Sequence, residues 1–579
     1  MTAEWAVAVD DLRYQYPGAA GWALDGVDLH VRPGAWVALM GANGSGKTTL
    51  CRALMALAPH ATGGRFQGRV TVQGLDTRQH PPAALLGVVG LTFQDAESQL
   101  FNPTVSAEIV WGLEALGLPR PLMAERLAWA LHSLRLDSLH GRFPGQLSGG
   151  QQRRLALAAV LAMRPSVLVL DSPLSGLDPQ GRSEVLAALD DLRRAHQATV
   201  IMAEADAEGV ARFADQVAVL HAGRFVAAGE PARLFAREAA LAAWGVATPP
   251  LAALANRLPV HRGPDDDFTT VDAAVAALAP LAAAQRSASD RGPADPRCAP
   301  APTRSAGALA VVCTNLSYAY HPGAPVLDGI TWQVPAGQFV ALVGANGSGK
   351  TTLAKHLVGL LRPQRGQLTI AGQDAAQQPV GELARHVGFL FQNAERQIFS
   401  ATVREEVAFG PRNLGLAGDE VARRVDQALA RFELSGLAGQ PPAVLSFTAR
   451  GRVTLAAVAA LATPILVLDE PTVGLDPHAA RRLLDWLVER HRQGTTVILV
   501  THDLALVAAY AERMVVLHAG AILADGPPDA LLADEALLAR AGLEAPTLVR
   551  LAQRLGLPAT TADGLAAALA GPTEAAHAV

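Results

Sequence analysis

Gly41-Ala42-Asn43-Gly44-Ser45-Gly46-Lys47-Thr48 is the stretch that decides the fold, and the chain repeats it as Gly344-Ala345-Asn346-Gly347-Ser348-Gly349-Lys350-Thr351. An apolar run that predicts a β-strand precedes each copy, and a predicted helix follows it. This is the context of a phosphate-binding loop, in which glycines turn backbone N–H groups toward phosphates and the helix N-terminus adds a favourable dipole. The lysine adds a positive charge, and the threonine hydroxyl can hold Mg²⁺. The sequence therefore predicts two nucleoside-triphosphate sites, which we extend to Thr49 and Thr352.

The composition describes a globular chain without a nucleic-acid or disulfide signature. With 579 residues, of which 50% are hydrophobic and 17% charged, the chain is long enough for several domains. The net charge of −5 gives no electrostatic reason to expect nucleic-acid binding. The three cysteines form no CxxC motif, which argues against a disulfide framework or a zinc site. We find no signal-peptide pattern and no membrane span in the sequence, so we expect a soluble chain that reaches a membrane only through a partner.

The two halves repeat each other well beyond the octapeptide, because the flanking motifs recur in the same order. Short apolar runs alternate with amphipathic stretches in each half, which predicts an α/β fold with a largely parallel sheet. The runs 167–170 and 465–468 end in Asp171 and Asp469 and have the continuous hydrophobicity of buried central strands. The stretch 105–139 has helical spacing and predicts a small helical subdomain. The predicted segments are a first domain at 1–245, its helical extension at 246–282, a Pro/Ala-rich linker at 283–306, a second domain at 307–540 and its helical extension at 541–579.

Aromatic and glutamine residues recur at matched positions around the two loops. Tyr16 and Tyr320 precede the loops by a similar distance, and each has two open interpretations: stacking on an adenine ring, or packing in the core as a strand residue. Gln94 and Gln392 each follow an apolar run after the loop. In the first half the motif Leu147-Ser148-Gly149-Gly150-Gln151 comes next, at a predicted helix start that could bind an anion.

This ordered set resembles the ATP-binding-cassette ATPases over nearly the whole of each half. The resemblance implies two tandem P-loop domains, each with a helical subdomain, that pair head to tail with two ATP molecules in the interface. Each ATP would lie between one domain's phosphate loop and the other domain's signature motif, which is Ser148, Gly149, Gly150 and Gln151 in the first half. The residues that the resemblance assigns to Mg²⁺ are Thr48, Gln94, Asp171, Thr351, Gln392 and Asp469. Those that it assigns to catalysis are Glu470, His502 and Gln392.

Each half departs from the family pattern in a different place. The first half has Ser172 where the second has the catalytic Glu470, and Ala205 where the second has His502. The second half reads Leu445-Ser446-Phe447-Thr448-Ala449 where the first has the intact signature. Across a head-to-tail pair, all three losses would collect in one composite site and all intact parts in the other. We therefore expect one site that holds ATP without splitting it and one that hydrolyses it.

The segments after Gln94 and Gln392 resemble the ATPase subunits of energy-coupling-factor transporters, which import vitamins and metal ions. That resemblance implies a membrane-embedded T component and a substrate-binding S component as partners, with the chain peripheral at the cytoplasmic face of the membrane. The substrate would be chosen by the S component and is not encoded here. The main alternative is a soluble twin-cassette ATPase acting on ribosomes or nucleic acid, which the net acidity and the Pro/Ala-rich linker disfavour. A scaffold without turnover is a third alternative, disfavoured by the intact second site.

Overall fold

The computed structural model describes residues 4–93, 97–258, 268–289, 308–391, 397–445, 447–473, 475, 477–557 and 561–570. The predicted Gln94 and Gln392 and the linker residues 290–306 lie outside these ranges. The chain divides into two compact units, 1–274 and 275–579.

The first unit alternates strands and helices. Its strands are β1 (Val7–Gln15), β2 (Leu24–Val31), β3 (Trp36–Met40), β4 (Arg65–Val72), β5 (Leu75–Asp76), β6 (Val89–Thr92), β7 (Val167–Asp171), β8 (Thr199–Ala203), β9 (Gln216–His221) and β10 (Arg224–Gly229). Its helices are α1 (Lys47–Leu54), α2 (Leu57–His60), α3 (Val105–Ala115), α4 (Arg120–Ser133), α5 (Gly149–Ala162), α6 (Pro179–His196), α7 (Ala207–Phe213), α8 (Pro231–Phe235), α9 (Glu238–Ala243) and α10 (Pro250–Arg257), followed by α11 (Val271–Ser289), which contains the boundary between the units. Short 3₁₀ turns lie at Pro82–Leu85, Glu97–Gln99, Asp137–Leu139 and Pro144–Gln146.

The second unit repeats this succession. Its strands are β11 (Leu309–His321), β12 (Ala324–Pro335), β13 (Phe339–Val343), β14 (Arg365–Ile370), β15 (Gln373–Asp374), β16 (Val387–Leu390), β17 (Ile465–Asp469), β18 (Thr496–Val500), β19 (Arg513–His518) and β20 (Ala521–Gly526). Its helices are α12 (Lys350–Leu357), α13 (Val380–Leu383), α14 (Val403–Asn413), α15 (Gly418–Arg431), α16 (Phe447–Leu461), α17 (Pro477–Arg492), α18 (Leu504–Tyr510), α19 (Pro528–Leu532), α20 (Glu535–Arg540), α21 (Thr547–Leu555) and α22 (Ala562–Ala570). The 3₁₀ turns that are described lie at Ser435–Leu437 and Pro442–Val444.

A six-stranded sheet forms the centre of each unit, in the order β10-β9-β3-β8-β7-β6 and, equivalently, β20-β19-β13-β18-β17-β16. Strands β3, β6, β7, β8 and β9 run parallel, and β10 pairs antiparallel at one edge. Strand β8 lies between the phosphate-loop strand β3 and the acidic strand β7. Because the carboxyl ends of parallel strands meet at one edge of the sheet, this order brings the ends of all three together.

The core lies on both faces of this sheet. In β7, Leu168 and Leu170 join one apolar cluster, while Val167 and Val169 join another on the opposite face. The first cluster includes helices α3 to α6 and the second includes α1 and strands β1, β2 and β4. Burial on both faces explains why β7 and β17 are continuously apolar in sequence, as predicted for central strands.

Two features differ from the sequence prediction. A separate antiparallel sheet, with the order β2-β1-β4-β5 in the first unit and β12-β11-β14-β15 in the second, was not predicted. Its strands alternate buried and exposed residues and cover one face of the central sheet's core. In addition, α11 continues to Ser289, so residues 283–289 of the predicted linker are helical. The predicted helical subdomain is confirmed by α3 and α4, and the predicted C-terminal extensions contain α10, α11, α21 and α22.

Candidate nucleotide sites

The first phosphate loop runs from the end of β3 to the start of α1 and depends on glycine at two points. A Cβ atom on Gly41 would lie 2.1 Å from the carbonyl oxygen of Leu220, and one on Gly46, at φ 112°, would lie 2.7 Å from that of Ala23. Only glycine fits such close approaches of backbone to backbone. The Lys47 ammonium donates hydrogen bonds to the carbonyl oxygens of Gly41 at 2.7 Å and Ala42 at 2.9 Å, which places its charge inside the curl of the loop.

The second phosphate loop reproduces this geometry. A Cβ atom on Gly344 would lie 2.2 Å from the Leu517 carbonyl oxygen, and Gly349 has φ 105°. Lys350 Nζ donates to the carbonyl oxygens of Gly344 at 2.8 Å and Ala345 at 2.9 Å. In both loops the central Asn-Gly pair is exposed, namely Asn43, Gly44, Asn346 and Gly347, whereas Ser45, Ser348, Thr49 and Thr352 are buried. Within each unit the predicted loop residues therefore form one cradle with exposed backbone at its rim.

The two predicted tyrosines lie beside the helix that each loop begins. The Tyr16 hydroxyl lies 3.2 Å from Thr49 Oγ1 and accepts a hydrogen bond from Arg52 at 3.0 Å. The Tyr320 hydroxyl lies 3.4 Å from Thr352 Oγ1, and Tyr320 is 48% exposed. The first ring is half-buried against the core and the second is open to solvent. Adenine stacking therefore stays a prediction for both.

A buried aspartate ends the central strand beside each loop and supplies the oxygen ligands that Mg²⁺ prefers. Within the described residues, Asp171 Oδ2 and both carboxylate oxygens of Asp469 are buried without a partner at hydrogen-bonding geometry. Burial raises the pKa of Asp469 to about 6, although the nearby Thr351 hydroxyl lowers it. Burial also raises the pKa of Asp171, and the Thr48 hydroxyl opposes that shift. A buried carboxylate in this situation is stabilised by a cation, so both threonine–aspartate pairs fit Mg²⁺.

The second unit holds a compact acid–histidine cluster where β17 and β18 end. His502 Nδ1 lies 2.8 Å from Glu470 Oε1, and the Thr501 hydroxyl donates to Glu470 Oε2 at 3.4 Å. Glu470 is 8% exposed, and its backbone has the left-handed φ of 50°. This strained conformation at the strand end turns the carboxylate toward the neighbouring strand, where the imidazole and the hydroxyl hold it. Two of the predicted catalytic residues, Glu470 and His502, are therefore in direct contact.

The first unit has the same backbone with different side chains. Ser172 has φ 55°, and its N–H donates to the Ala203 carbonyl oxygen at 2.7 Å, as the Glu470 N–H donates to that of Val500 at 2.9 Å. Ala205 takes the place of the histidine. Neither replacement can take up a proton in the way that a carboxylate can. The first unit therefore has the same backbone arrangement as the second but lacks the carboxylate that could act as a base.

Glu204 follows β8 directly and is not among the predicted site residues. It is 5% exposed, and its carboxylate accepts hydrogen bonds from the N–H groups of Leu174, Ala205 and Asp206. Burial raises its pKa. A glutamate directly after the apolar run 199–203 was the available signal, but its hydrogen-bond partners are backbone groups, which the sequence does not reveal.

The signature motif of the first unit begins helix α5. The Ser148 hydroxyl accepts from the Gln151 N–H at 3.3 Å, and the Gln151 side chain accepts from the Ser148 N–H at 3.0 Å, which is a reciprocal capping box. Ser148 and Gly149 are exposed and Gly150 is half-buried, so the helix N-terminus is accessible. In the second unit the corresponding helix α16 begins at Phe447, while Ser446 and the side chains of Phe447 and Thr448 lie outside what the structure describes. Gln94 and Gln392 also lie outside it.

Comparison with known proteins matches both units to one family. The family model described as ABC transporter matches residues 24–175 and 327–473. A provisionally named ABC transporter ATP-binding protein from Methanosarcina acetivorans is 36% identical over 561 residues, covering 95% of this chain and 91% of the relative. A similarly named protein from Caldanaerobacter subterraneus subsp. tengcongensis is 34% identical, covering 95% and 96%. The solved structure of cbiO1 from Clostridium perfringens, described as part of the ABC transporter complex cbiONQ, is 32% identical with a TM-score of 0.37, covering 42% of this chain and 99% of that one.

Proposed function

The chain belongs to the ABC transporter family as two fused ATP-binding cassettes, and from that premise we propose that it is the energy-coupling subunit of an importer of the energy-coupling-factor type. Its partners would be a membrane-embedded T component and a substrate-binding S component, which bring it to the cytoplasmic face of the membrane. The cargo would be a vitamin, a vitamin precursor or a metal ion selected by the S component. None of the helices within the described ranges is both long enough and apolar enough to cross a membrane.

A duplicated aromatic platform carries this proposal. In the first unit Phe101 and Trp111 are 63% and 53% exposed, and their rings meet edge to face with centroids 5.0 Å apart. In the second unit Phe399 and Phe409 are 65% and 45% exposed, with centroids 4.6 Å apart. Paired exposed aromatics at the same place in both units are typical of an interaction site rather than of scattered surface residues.

A buried glutamate anchors each platform to its helix. Glu108 Oε2 in α3 accepts from the N–H groups of Phe101 at 3.0 Å and Asn102 at 2.8 Å. Glu406 Oε2 in α14 accepts from those of Phe399 at 3.1 Å and Ser400 at 2.8 Å. Burying a carboxylate is costly, and here both backbone donors offset that cost while fixing the segment that carries the exposed ring. An amphipathic helix of a membrane protein offers the apolar face that such a fixed platform would bind.

The proposed mechanism uses the two cassettes unequally. Bound Mg²⁺ would neutralise phosphate charge at Thr351 and Asp469. At the second loop Glu470 takes a proton from the attacking water, and His502 and Thr501 orient the carboxylate for that transfer. We propose that the cassettes pair head to tail, so that the intact signature at Ser148–Gln151 completes the hydrolytic site. The first loop would then hold ATP without splitting it.

Affinity purification of the chain from detergent-solubilised membranes tests this function. We expect small multi-span membrane proteins to co-purify, and Phe399→Ala together with Phe409→Ala to reduce that recovery at least several-fold. The double variant should keep the ATPase activity of the isolated chain, because neither ring belongs to the nucleotide cluster. The matched control is Leu360→Ala, which removes a single exposed apolar side chain, 47% exposed, outside the platform. Recovery of ribosomal proteins in place of membrane proteins would overturn the importer proposal.

A further inference from the structure

The two units contain the same pair of positions at the ends of two neighbouring strands, with the acid and the hydroxyl exchanged. In the first unit Ser172 follows β7 and Glu204 follows β8. In the second unit Glu470 follows β17 and Thr501 follows β18. Strands β7 and β8 pair in parallel up to Asp171 and Ala203, as β17 and β18 pair up to Asp469 and Val500. Each unit therefore has one carboxylate and one hydroxyl where these two neighbouring strands end, one on each strand. We call this place, formed by Ser172 and Glu204 in the first unit and by Glu470 and Thr501 in the second, the corner of the unit.

In the second unit the hydroxyl connects the two strand ends. Thr501 Oγ1 accepts from the Asp503 N–H at 3.0 Å and donates to the Glu470 carboxylate at 3.4 Å. The turn that begins helix α18 is thereby tied to the end of β17. The other oxygen of Glu470 remains for His502, at 2.8 Å.

In the first unit the carboxylate makes the same connection alone. Glu204 Oε1 accepts from the N–H groups of Ala205 at 2.7 Å and Asp206 at 3.3 Å, the second of which matches the Thr501 contact. Glu204 Oε2 reaches the turn that follows β7 and accepts from the Leu174 N–H at 3.1 Å. The Ser172 hydroxyl instead lies near Asp171, where it opposes the rise in the pKa of that carboxyl that burial causes. In both units one buried carboxylate therefore takes part in the side-chain link between the two strand ends.

From this exchange we infer that Glu204 is the positioning residue of the first ATP site, replacing the missing strand-end acid as the link between β7 and β8. It fixes the backbone after Asp171 in the conformation that holds nucleotide. It does not replace Glu470 as a base, because both of its oxygens accept backbone N–H donors and Ala205 offers no imidazole beside it. The inference rests on the proposal that the first site holds ATP without hydrolysing it.

The link between the two strands requires a single carboxylate at the corner, because both its removal and the addition of a second one should weaken the link. Removing Glu204 leaves the buried N–H group of Leu174 and the partly buried N–H group of Asp206 without their acceptor. Adding a second carboxylate at the partly buried position 172 brings a like charge toward Glu204, whose pKa burial and then Asp206 already raise. Making both changes together places the acid and the hydroxyl as they are in the second unit, with Ala205 still in the place of the histidine.

A double-mutant cycle in the full chain tests this requirement. The variants Glu204→Thr, Ser172→Glu and their combination are made in a chain that also carries Lys350→Ala, so that the first loop is the intact one. The readouts are the dissociation rate of a fluorescent N-methylanthraniloyl ATP and the melting temperature. Each single variant should release the nucleotide about tenfold faster, the factor expected for one lost buried hydrogen bond. The dissociation rate of the combined variant should return to within about twofold of the parent, because the two substitutions together again give one carboxylate and one hydroxyl, so their effects are not additive.

The reciprocal exchange in the second unit is the matched control. Glu470→Ser with Thr501→Glu should melt near the parent temperature yet lack ATPase activity, while each single variant melts about 2–4 °C lower. The loss of ATPase activity there follows from the loss of the Glu470 base, so the melting temperature is the readout that compares the exchanged pair in the two units. The inference fails if either combination is as impaired as the sum of its single variants. Recovery of ADP from the first loop of the Lys350→Ala chain would show that this site hydrolyses ATP, and would overturn its proposed function. The comparison of the single and combined variants would still test the role of Glu204.

Discussion

The two units have the same phosphate loop in sequence and geometry, whereas the strand ends beside the loops agree only in backbone conformation. The loops match in sequence, in the close approach at Gly41 and Gly344, and in the lysine contacts. The strand ends match only in backbone: Ser172 and Glu470 share a left-handed φ, but one is a hydroxyl and the other an acid. Nucleotide binding relies on backbone shape, whereas proton transfer relies on one side chain. A duplicated cassette can therefore lose hydrolysis through few substitutions while it keeps its fold and its loop.

The variant Glu470→Gln should show the largest effect of this difference. The amide keeps the shape of the side chain but cannot take up a proton, so turnover should fall by about 10²–10⁴. Steady-state phosphate release by the full chain measures it. The matched change at the first corner, Ser172→Ala, should cost far less because no base is lost there. If Glu470→Gln kept most of the turnover, the two corners would have to be equivalent and the asymmetric mechanism would be wrong.

His502→Ala should have the second largest effect. It removes the contact at 2.8 Å that orients the Glu470 carboxylate, and we expect turnover to fall about 10- to 100-fold, the range for a lost hydrogen bond to a charged group. Binding of a fluorescent ATP analogue, measured beside turnover, should change less than turnover. The control is Ala205→His in the first unit, where Ser172 offers no carboxylate to orient and no gain is expected. An equal loss in binding and turnover would assign His502 to nucleotide binding instead of orientation.

The sequence predicted the parts of the site whose signal is local. The loops, the aspartates at the ends of β7 and β17, and the Ser148 helix start all stand in short motifs with a backbone reason for each residue type. The contact between Glu470 and His502 joins two strands, so the pattern could name both residues without giving their separation of 2.8 Å. The α/β class and the helical subdomain followed from periodicity in the same way.

The features that were missed depend on non-local pairing. Strands β1, β2 and β4 form a second sheet, and nothing in their alternation says that they pair with each other instead of joining the central sheet. Glu204 is held by three backbone N–H groups that any residue type supplies, so its sequence context looks like that of an ordinary surface acid. Long-range contacts to the backbone are the part of this site that one sequence does not display.

A smaller effect compares the glycines where the C-terminal extensions meet the loops. Gly245 and Gly542 have nearly the same φ, 71° and 68°, but a Cβ atom would lie 2.7 Å from Ala42 Cβ in the first unit and 3.2 Å from Ala345 Cβ in the second. Substitution by alanine should cost each unit about 1–3 kcal/mol for the left-handed backbone. Gly245→Ala should in addition displace the first loop and weaken ATP binding there several-fold. Thermal melting and titration with a fluorescent ATP analogue measure the two effects.

Gly542→Ala is the matched control for that experiment, because it carries the same backbone strain with a looser contact. The comparison isolates the contact with the loop from the strain. Equal losses of ATP affinity in the two variants would show that backbone strain alone is responsible and that the 2.7 Å approach does not matter.

The smallest expected change is the response of turnover to Ser172→Glu. The substitution restores the acid that the first corner lacks, yet we expect ATPase activity to rise less than about twofold, because catalysis by a general base needs its orienting partners. Ala205 supplies no imidazole, and Glu204 already occupies the corner with a carboxylate. The second unit's signature, which we propose to face this loop, has Phe447 and Thr448 in place of the two glycines. Phosphate release in a Glu470→Gln background detects any activity of the first site without interference from the second. A rise of tenfold or more there would mean that one acid is enough for hydrolysis, and that the two corners differ in a single residue and not in the arrangement around it.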